Sequence, residues 1–312
     1  MSAVTVIVVN FNTGELARRA LETAAADLSG VDWDAIVVDN ASSDGSVAAL
    51  HGIARTRVIA NTRNVGFGAA VNQAVRASQA PSPGPLPVAR QASHPGPLPV
   101  ARQASSLLWL LNPDCEVTPG AFAALRETLD THPGCAVAAP RLLNADGSVQ
   151  ASARGEPTAW TGLFGRHTLL TKVFPSSALA RRNLPAQDLV DGGVDSAPVD
   201  WVMGAAMLIR RDAFDRVGGF DERYFLYWED ADLCRRLKDR GLSTRYVPRA
   251  VVRHPGGASA KTHAAFATRA FHDSAYRYYA TYVVRSPWHP ARWLAWIALE
   301  LRAWWRARGA DL

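Results

Sequence analysis

The chain has 312 residues, of which 48% are hydrophobic, and it carries a formal net charge of +6. This apolar content excludes a wholly disordered chain and fits one large α/β domain with an appendage, or two small domains. The positive charge favours an anionic partner: the phosphates of a small molecule, an anionic lipid or a nucleic acid. Three scattered cysteines without a Cys-x-x-Cys pair indicate free thiols rather than a zinc ribbon or a disulfide framework.

The first residues read as a buried strand, because they lack the basic segment and the long apolar run of a signal peptide. No stretch reaches the roughly 18 uninterrupted apolar residues that a membrane-spanning helix needs. We therefore expect a cytoplasmic protein that contacts a membrane only through its C-terminus.

Strands and helices alternate over the first part of the chain, which predicts an α/β fold with a doubly wound, mainly parallel sheet and ligands at the carboxyl ends of its strands. The predicted elements are strand Val4–Asn10, helix Glu15–Leu28, strands Ala35–Asp39 and Arg57–Ala60, helix Gly66–Ser78, strand Leu107–Asn112, helix Gly120–Asp130 and strand Cys135–Ala139. Those that follow are a hairpin turn at Asp146-Gly147, a strand pair or a strand after a loop in Val199–Ile209, helices Asp212–Val217 and Trp228–Arg240, and strands Thr244–Val247 and Ala250–Arg253.

Residues 80–106 contain a tandem duplication, because the segment Pro83–Ser93 recurs as Pro95–Ser105. Each copy holds three prolines, which cannot lie inside a helix or a central strand. We predict a disordered or polyproline II surface loop here; a proline-rich docking site is the alternative.

Polar residues end the first two predicted strands: Asn10 and Asn12 follow the first, and Asp39 ends the second. An acid at the latter position either accepts hydrogen bonds from a ribose or a base, or caps the following loop. Asp44 is predicted to be the N-cap of a short helix, with Gly45 relaxing the turn.

A glycine-bearing loop, Asn61–Gly68, leads into the helix Gly66–Ser78. Backbone amides at the start of this helix, with Arg63 beside them, predict an anion site. Asn72 lies about two turns into the helix and either faces the pocket or is exposed.

Two positions predict a metal site. The strand before Asn112-Pro113-Asp114 delivers one carboxylate to the sheet edge, and Mg²⁺ takes one or two protein carboxylates with phosphates and water around it. Asp114 fits that role, or else forms a Pro-Asp turn. His254 follows the last predicted strand and is either a further metal ligand or a structural histidine.

The densest motif is Gly218–Arg236, in which the carboxylates of Glu229, Asp230 and Asp232 begin a helix directly after Trp228. The helix dipole accounts for an acid or two there, but not for acids crowded beside aromatic residues. A carboxylate in such a place, near a metal-bound phosphate, suits a general base.

These motifs together resemble glycosyltransferase family 2, whose fold is of the GT-A type. More narrowly, they resemble the bacterial rhamnosyltransferases that use a deoxythymidine diphosphate (dTDP) donor. The resemblance spans about residues 4–260 and implies a catalytic domain over residues 1–260 with a helical segment over residues 261–312. Asn112 stands where the family usually has the first acid of its Asp-x-Asp metal motif, which makes Asp114 the chief metal ligand.

The resemblance also implies roles for individual residues. The implied set is Asn10, Asn12, Asp39, Arg63, Asn64, Gly66 and Asn112 for the nucleotide, Gly204 for the donor sugar and acceptor, Trp228 for the acceptor motif, Asp114 and His254 for the metal, and Asp230 with Glu229 for catalysis.

The implied reaction is a single inverting displacement. Asp230 takes the proton of an acceptor hydroxyl, while Mg²⁺ or Mn²⁺ and Arg63 offset charge on the departing diphosphate. The implied donor is dTDP-rhamnose, and the acceptor is a cell-envelope saccharide or a polyprenyl-linked one. The alternatives are a uridine-diphosphate hexose or galactofuranose donor, and a non-catalytic nucleotide-sugar-binding partner in polysaccharide assembly. A nucleic-acid-binding protein and an NAD-dependent oxidoreductase are disfavoured, because their sequence motifs are missing.

The C-terminal tail combines tryptophans with arginines, and five of the ten tryptophans lie between Trp288 and Trp305. This pattern predicts a helix in the membrane interface, at the inner face of the cell membrane. A helix packed on the catalytic domain or at a dimer interface is the alternative. The shared helical face consists of Trp293, Ile297, Leu301 and Trp304, and the arginines mostly outside it are Arg292, Arg302 and Arg306.

Overall fold

The computed structural model of the chain describes residues 4–79, 106–157, 186–256 and 264–309. The duplicated loop predicted over residues 80–106 falls outside the described residues, apart from Ser106. The strands are β1 (Val4–Asn10), β2 (Trp33–Asp39), β3 (Thr56–Ala60), β4 (Leu107–Leu111), β5 (Glu116–Val117), β6 (Cys135–Leu143), β7 (Ala153–Arg154), β8 (Ala197–Val199), β9 (Trp201–Val202), β10 (Ala206–Arg210) and β11 (Ser243–Arg253). The helices are α1 (Gly14–Asp27), α2 (Ser46–Leu50), α3 (Phe67–Gln79), α4 (Ala121–Thr131), α5 (Ala186–Asp191), α6 (Arg211–Arg216), α7 (Glu229–Lys238), α8 (Ala264–Tyr278), which continues into a π-helical turn (Tyr279–Val283), and α9 (Pro290–Gly309).

The main sheet has the strand order β3-β2-β1-β4-β10-β6-β11-β5, with β8 paired to β11. Its first four strands are parallel, as the sequence predicts. β10 then lies antiparallel between β4 and β6, whereas β6 and β11 again pair in parallel, so the mainly parallel sheet is mixed. This reversal arises because the chain enters β10 at the carboxyl end of β4, where Ala206 pairs with Leu111. The segment before β10 is thereby placed at the edge where ligands of such sheets bind.

Helices cover both faces of the sheet, which explains why β4 is apolar and buried at every position. Alternate residues of a strand point to opposite faces. Trp109 accordingly packs with Phe122 of α4, at 5.3 Å between ring centroids, in the core that also holds α1. Leu110 belongs to the opposite core, which α3 and α7 close with residues such as Val71 and Leu233.

Three local predictions need correction. The predicted strands Thr244–Val247 and Ala250–Arg253 form one strand, β11, whose register against β6 shifts between Val247 and Val251. The N-cap of α2 is Gly45, in the left-handed conformation with φ 82°, rather than Asp44. Asp44 instead accepts hydrogen bonds from the amide and the hydroxyl of Ser46.

Asn72 of α3 neither faces a pocket nor is exposed, because it is 7% exposed and fully engaged. Its side chain accepts a hydrogen bond from the amide of Phe220 and donates one to the carbonyl of the same residue, both at 2.9 Å. Asn72 therefore anchors the loop that precedes α7 to the helix behind it.

The C-terminal helices contact the region before and within α7. Ser274 of α8 donates a hydrogen bond to the carbonyl of Leu226 at 3.0 Å, and the hydroxyl of Tyr282 donates one to Asp232 at 2.7 Å. In α9 the face predicted from the sequence is exposed, with Trp293 at 60% and Leu301 at 61%. Among the described residues, no helix combines the length and apolarity required to span a membrane.

Candidate active site

The ends of β1 and β2 are joined by buried side chains. Asn10 donates a hydrogen bond to Asp39 at 2.7 Å, and both side chains are at most 1% exposed. The Asp39 carboxylate also accepts from the amide and the hydroxyl of Ser42, at 2.9 and 2.7 Å. Asn12 continues this network, since its amide donates to the Ser42 hydroxyl at 2.8 Å. Asp39 thus fixes the loop after β2, which agrees with the loop-capping role, one of the two roles predicted for it.

Gly66 lies where the loop after β3 meets the segment before α7. Its φ is 90°, and a Cβ there would lie 2.5 Å from the carbonyl oxygen of Phe225, so no other residue fits without a shift. The same carbonyl accepts the amide of Phe67 at 3.0 Å. Asn64 accepts the amide of Gly66 at 2.9 Å and so holds the turn.

Arg63 is exposed and lines a groove of about 480 Å³ on the outer side of α3, together with Asn64, Arg76, Glu222 and Phe225. Arg76 and Glu222 form an ion pair at 3.5 Å across this groove. Arg63, which is predicted to approach the nucleotide, is therefore exposed to solvent in this groove.

Asp114 and His254 converge at the carboxyl end of the sheet. The His254 Nε2 atom is 3.2 Å from Asp114 Oδ1 and also 3.2 Å from the Asn112 side-chain amide nitrogen. On the other side of the ring, Nδ1 is 3.0 Å from Gln150 Oε1. Burial alone would raise the pKa of Asp114, but the hydrogen bond and the charge of His254 outweigh it and hold that pKa below its usual value.

This pair fits a hard divalent cation. A carboxylate oxygen and an imidazole nitrogen face each other, both on side chains that are 9% exposed. Within the described ranges, no group of three or more His, Cys, Asp or Glu residues is arranged to hold a metal. Asp114 and His254 therefore suit a cation that takes only one or two protein ligands and completes its shell with phosphates and water.

Asp230 lies at the start of α7 with both oxygens bound to backbone amides. Gly204 donates to Oδ2 and Ala231 donates to Oδ1, each at 2.8 Å. The neighbouring Ala205 carbonyl accepts the amide of Asn112 at 2.7 Å. Two adjacent residues of the segment before β10 thus connect the carboxylate of Asp230 to the loop that carries the metal pair.

The adjacent carboxyls of Glu229 and Asp230 have different surroundings. Burial, and then the charge of Asp230, raise the pKa of Glu229 well above its usual value. Glu229 Oε2 is buried, and it finds no hydrogen-bond partner in the described part of the chain. Burial also raises the pKa of Asp230, but the amides of Gly204 and Ala231 and the charge of Arg154 oppose this rise. Of these two carboxyls, Asp230 is therefore the better placed to carry a negative charge.

Aromatic rings flank these acids. Trp228 stacks on Trp201, with centroids 6.3 Å apart and planes at 25°, and the Arg154 guanidinium lies over Trp201 at 5.3 Å. Tyr227 and Trp228 both adopt positive φ values, of 67° and 69°. Such backbone strain costs about 1–3 kcal/mol per residue and clusters at functional sites. Trp228 also contacts Tyr278 of α8, at 5.2 Å between ring centroids, so aromatic rings surround the start of α7.

Ten of the predicted residues thus form three groups: Asn10 with Asn12 and Asp39, Asn112 with Asp114 and His254, and Gly204 with Trp228, Glu229 and Asp230. The other three, Arg63, Asn64 and Gly66, lie on the loop after β3. The roles assigned to them toward ligands stay predictions. Sequence reasoning missed Ser42, Gln150, Arg154 and Trp201. Only the hairpin signal at Asp146-Gly147 pointed toward Gln150, because a turn there returns the following residues to the end of β6.

Comparisons with known proteins show the family of the chain. The model of the family described as "Glycosyltransferase like family 2" matches residues 2–271. The chain is 32% identical over 280 residues to N-acetylglucosaminyl-diphospho-decaprenol L-rhamnosyltransferase of Mycobacterium tuberculosis, covering 86% of this chain and 81% of that one. It is also 54% identical over 50 residues to rhamnosyltransferase WbbL of Escherichia coli, covering 16% of this chain and 19% of that one.

A solved structure supports the fold. The mannosyltransferase PcManGT of Pyrobaculum calidifontis, in complex with GDP-Man and Mn²⁺, superposes with a TM-score of 0.53 at 16% identity, covering 99% of this chain and 72% of that one. The predicted α/β fold of GT-A type and the resemblance to rhamnosyltransferases of family 2 are confirmed. The chain belongs to the glycosyltransferase-like family 2 and is a glycosyltransferase.

Proposed function

We propose that this enzyme transfers rhamnose from dTDP-rhamnose to a hydroxyl of a cell-envelope saccharide or a polyprenyl-linked saccharide, with inversion at the anomeric carbon. The observation that carries the proposal is a pair of hydrogen bonds that connects Asp230, the proposed base, to the loop that carries Asp114, a proposed metal ligand. Gly204 binds the Asp230 carboxylate, and the next residue, Ala205, binds the backbone of Asn112. This short segment thereby connects the proposed proton acceptor to the loop whose Asp114 would hold the cation.

The donor nucleotide is assigned to the ends of β1 and β2 and to the loop after β3. Asp39 holds Asn10 and the loop that carries Ser42, so these side chains are ordered before a ligand arrives. Preorganised donors and acceptors lose little conformational entropy on binding. The residues assigned to the nucleotide are Asn10, Asn12, Asp39, Arg63, Asn64, Gly66 and Asn112.

Asp114 and His254 are assigned to Mg²⁺ or Mn²⁺. When bound, such a cation supplies charge stabilisation for the departing diphosphate. The protein's contribution is to place an ionised carboxylate, whose pKa is held low, opposite the Nε2 atom of His254 at 3.2 Å. Arg63, exposed on the neighbouring loop, is assigned to the same diphosphate.

Asp230 is assigned as the general base. It accepts the proton of the acceptor hydroxyl as that oxygen attacks the anomeric carbon, and the amides of Gly204 and Ala231 hold its oxygens in place. Protonated Glu229 keeps a second negative charge away from the base. Trp228, which stacks on Trp201, is assigned to contact the acceptor sugar.

The relatives support rhamnose as the transferred sugar, because the Mycobacterium tuberculosis and Escherichia coli proteins are both named rhamnosyltransferases. The name of the former also specifies an acceptor, N-acetylglucosaminyl-diphospho-decaprenol. A lipid-linked acceptor of this kind would lie at a membrane surface.

We further assign the enzyme to the cytoplasmic face of the cell membrane as a peripheral protein, bound through α9. The exposed residues of this helix include Trp293, Leu294, Ile297 and Leu301. Residues 264–309 carry seven arginines and two acids, so the same segment attracts anionic lipid. Tryptophan and arginine together are typical of helices that lie in the membrane interface.

The proposal is tested by measuring nucleotide release from a panel of nucleotide sugars, with and without Mg²⁺ or Mn²⁺, in the presence of a polyprenyl-diphosphate-linked saccharide. The expected result is metal-dependent release of dTDP from dTDP-rhamnose, with linkage analysis of the product showing inversion. Release of uridine diphosphate from a hexose or galactofuranose donor instead would contradict the assigned donor. Donor binding without release from any sugar, with several acceptors, would contradict the assigned reaction.

A further inference from the structure

We propose that Gln150 is a positioning residue that holds His254 in the tautomer able to bind the cation, at the end of a directed chain of hydrogen bonds through the preceding hairpin. The inference rests on the metal site of the proposed function. It concerns a residue to which no role is assigned above.

The two ring nitrogens of His254 face different partners. Nδ1 is 3.0 Å from Gln150 Oε1, whereas Nε2 is 3.2 Å from Asp114 Oδ1. A neutral imidazole carries its proton on one nitrogen only, and metal binding through Nε2 requires the proton on Nδ1. A carbonyl oxygen accepts and never donates, so Gln150 Oε1 at this position selects the Nδ1–H form.

The orientation of the Gln150 amide follows from its neighbours. The carboxylate of Asp146 only accepts, and the Ser148 hydroxyl donates to it at 2.6 Å. The Ser148 oxygen then accepts from the Asn144 amide nitrogen at 2.9 Å, which turns the Asn144 oxygen toward Gln150. Gln150 Nε2 donates to that oxygen at 3.0 Å, and only its Oε1 is left for His254. Each step fixes the direction of the next.

Backbone hydrogen bonds hold the hairpin and His254 in place independently of these side-chain hydrogen bonds. The Gln150 amide donates to the carbonyl of Leu142, and the His254 amide donates to that of Leu143, both at 2.8 Å. Gly147, with φ 82°, lies in the turn between Leu143 and Gln150. Replacing the Gln150 side chain therefore leaves both backbones attached to the end of β6, so its effect on His254 can be measured by itself.

The competing tautomer explains why such a residue is needed. A proton on Nε2 would donate to Asp114 Oδ1, 3.2 Å away, and this arrangement satisfies both groups without a cation. Gln150 offsets that preference because its Oε1 accepts a hydrogen bond from a proton on Nδ1. Partners of this kind typically change metal affinity by about 10- to 100-fold.

The first test measures Mn²⁺ alone binding to the full chain, by electron paramagnetic resonance of the free ion. We expect Gln150→Leu to bind Mn²⁺ about 10- to 100-fold more weakly than the wild type. Gln150→Glu keeps an acceptor opposite Nδ1 and should bind nearly as tightly as the wild type. Gln73→Leu, which removes a comparable amide paired with Asn61, is the matched control and should leave Mn²⁺ affinity unchanged.

The second test reads the tautomer of His254 by ¹⁵N nuclear magnetic resonance of the imidazole without metal. At a pH at which the imidazole is neutral, the wild type and Gln150→Glu should show Nδ1–H, and Gln150→Leu should shift toward Nε2–H. An unchanged tautomer in Gln150→Leu, in a variant with wild-type melting temperature, overturns the inference. Mn²⁺ binding that is indifferent to His254→Ala and Asp114→Ala would instead overturn the proposed metal site, and the tautomer measurement would still decide the role of Gln150.

Discussion

The backbone amide of Gly204 donates a hydrogen bond of 2.8 Å to Oδ2 of Asp230, although the two residues lie 26 positions apart in the chain. This contact places the carboxylate at the start of β10, beside the strand that leads to Asn112. A Cβ at Gly204 would lie 3.4 Å from the Cβ of Asp230, which leaves room for a methyl group but not for a larger side chain. The base is therefore positioned by main chain rather than by a flexible partner.

Substitutions of Gly204 should separate the effect of side-chain volume from the effect of the amide hydrogen bond to Asp230. An alanine Cβ makes ordinary contacts, at 3.4 Å from Asp230 and 3.8 Å from Phe67, and keeps the amide. We expect Gly204→Ala to lose at most about 1 kcal/mol of unfolding free energy and to stay active. Gly204→Leu must displace Asp230 or Phe67, and we expect a fall in kcat of about 10²-fold. Steady-state kinetics and thermal melts check both, and wild-type turnover in Gly204→Leu would refute the packing argument.

Removal of the metal-side carboxylate should weaken donor binding only when metal is present. In Asp114→Ala, His254 loses the carboxylate 3.2 Å from its Nε2, and the cation loses an oxygen ligand. We expect the affinity for dTDP in Mn²⁺ to approach the affinity without metal, as measured by calorimetry. Asp212→Ala, an exposed acid paired with Arg216 at 3.3 Å, is the control. An unchanged metal dependence in Asp114→Ala would remove the ligand role.

The raised pKa of Glu229 predicts a pH-dependent stability. A carboxyl with a raised folded-state pKa binds its proton more tightly when folded, so its stabilising effect is present at low pH. That effect is lost as the pH rises from the usual value of 4.5 through the folded-state pKa. Glu229→Gln mimics the protonated acid, so its melting temperature should fall less than that of the wild type over this window. Parallel pH profiles for the two proteins would count against a proton on Glu229; Glu127→Gln, at 60% exposure, is the control.

The exposed face of α9 predicts binding to anionic vesicles. The variant with Trp293→Ser and Leu301→Ser removes two side chains that are 60% and 61% exposed, so folding should not suffer. Burying such side chains contributes about 1.5–3 kcal/mol each, so we expect binding to fall at least tenfold in sedimentation with phosphatidylglycerol vesicles. Leu16→Ser, on α1 at 39% exposure, should bind like the wild type. Equal sedimentation of all three proteins would rule out α9 as the anchor.

The alternation of strands and helices predicts most of the fold, because a continuous apolar strand indicates that both of its faces are buried. The parallel half from β1 to β4 follows from this pattern alone. The antiparallel entry of β10 does not, because a short apolar run such as Ala206–Arg210 is compatible with either direction. The single strand β11 was divided in the prediction, since the bulge near Val251 breaks its regular pairing.

The candidate site is only partly visible in the sequence. Asp114 and Asp230 stand out because acids follow apolar strands or aromatic residues, and their spacing carries that signal. Arg154 carries none, and the turn signal at Asp146-Gly147 does not mark Gln150 as a site residue, because a single polar residue after a hairpin resembles any surface residue. Their importance comes from long-range packing, which brings Gln150 to His254 across 104 positions of the chain.

The most direct test of the central claim is to compare turnover and donor affinity in Asp230→Asn. The amide retains an oxygen for the Gly204 amide but cannot accept the acceptor's proton as a carboxylate does. We expect kcat for sugar transfer to fall by about 10²- to 10⁴-fold, while the dissociation constant for the donor in Mn²⁺ is unchanged. Turnover close to that of the wild type, or a loss of donor affinity as large as the loss of kcat, would contradict the assignment of Asp230 as the base.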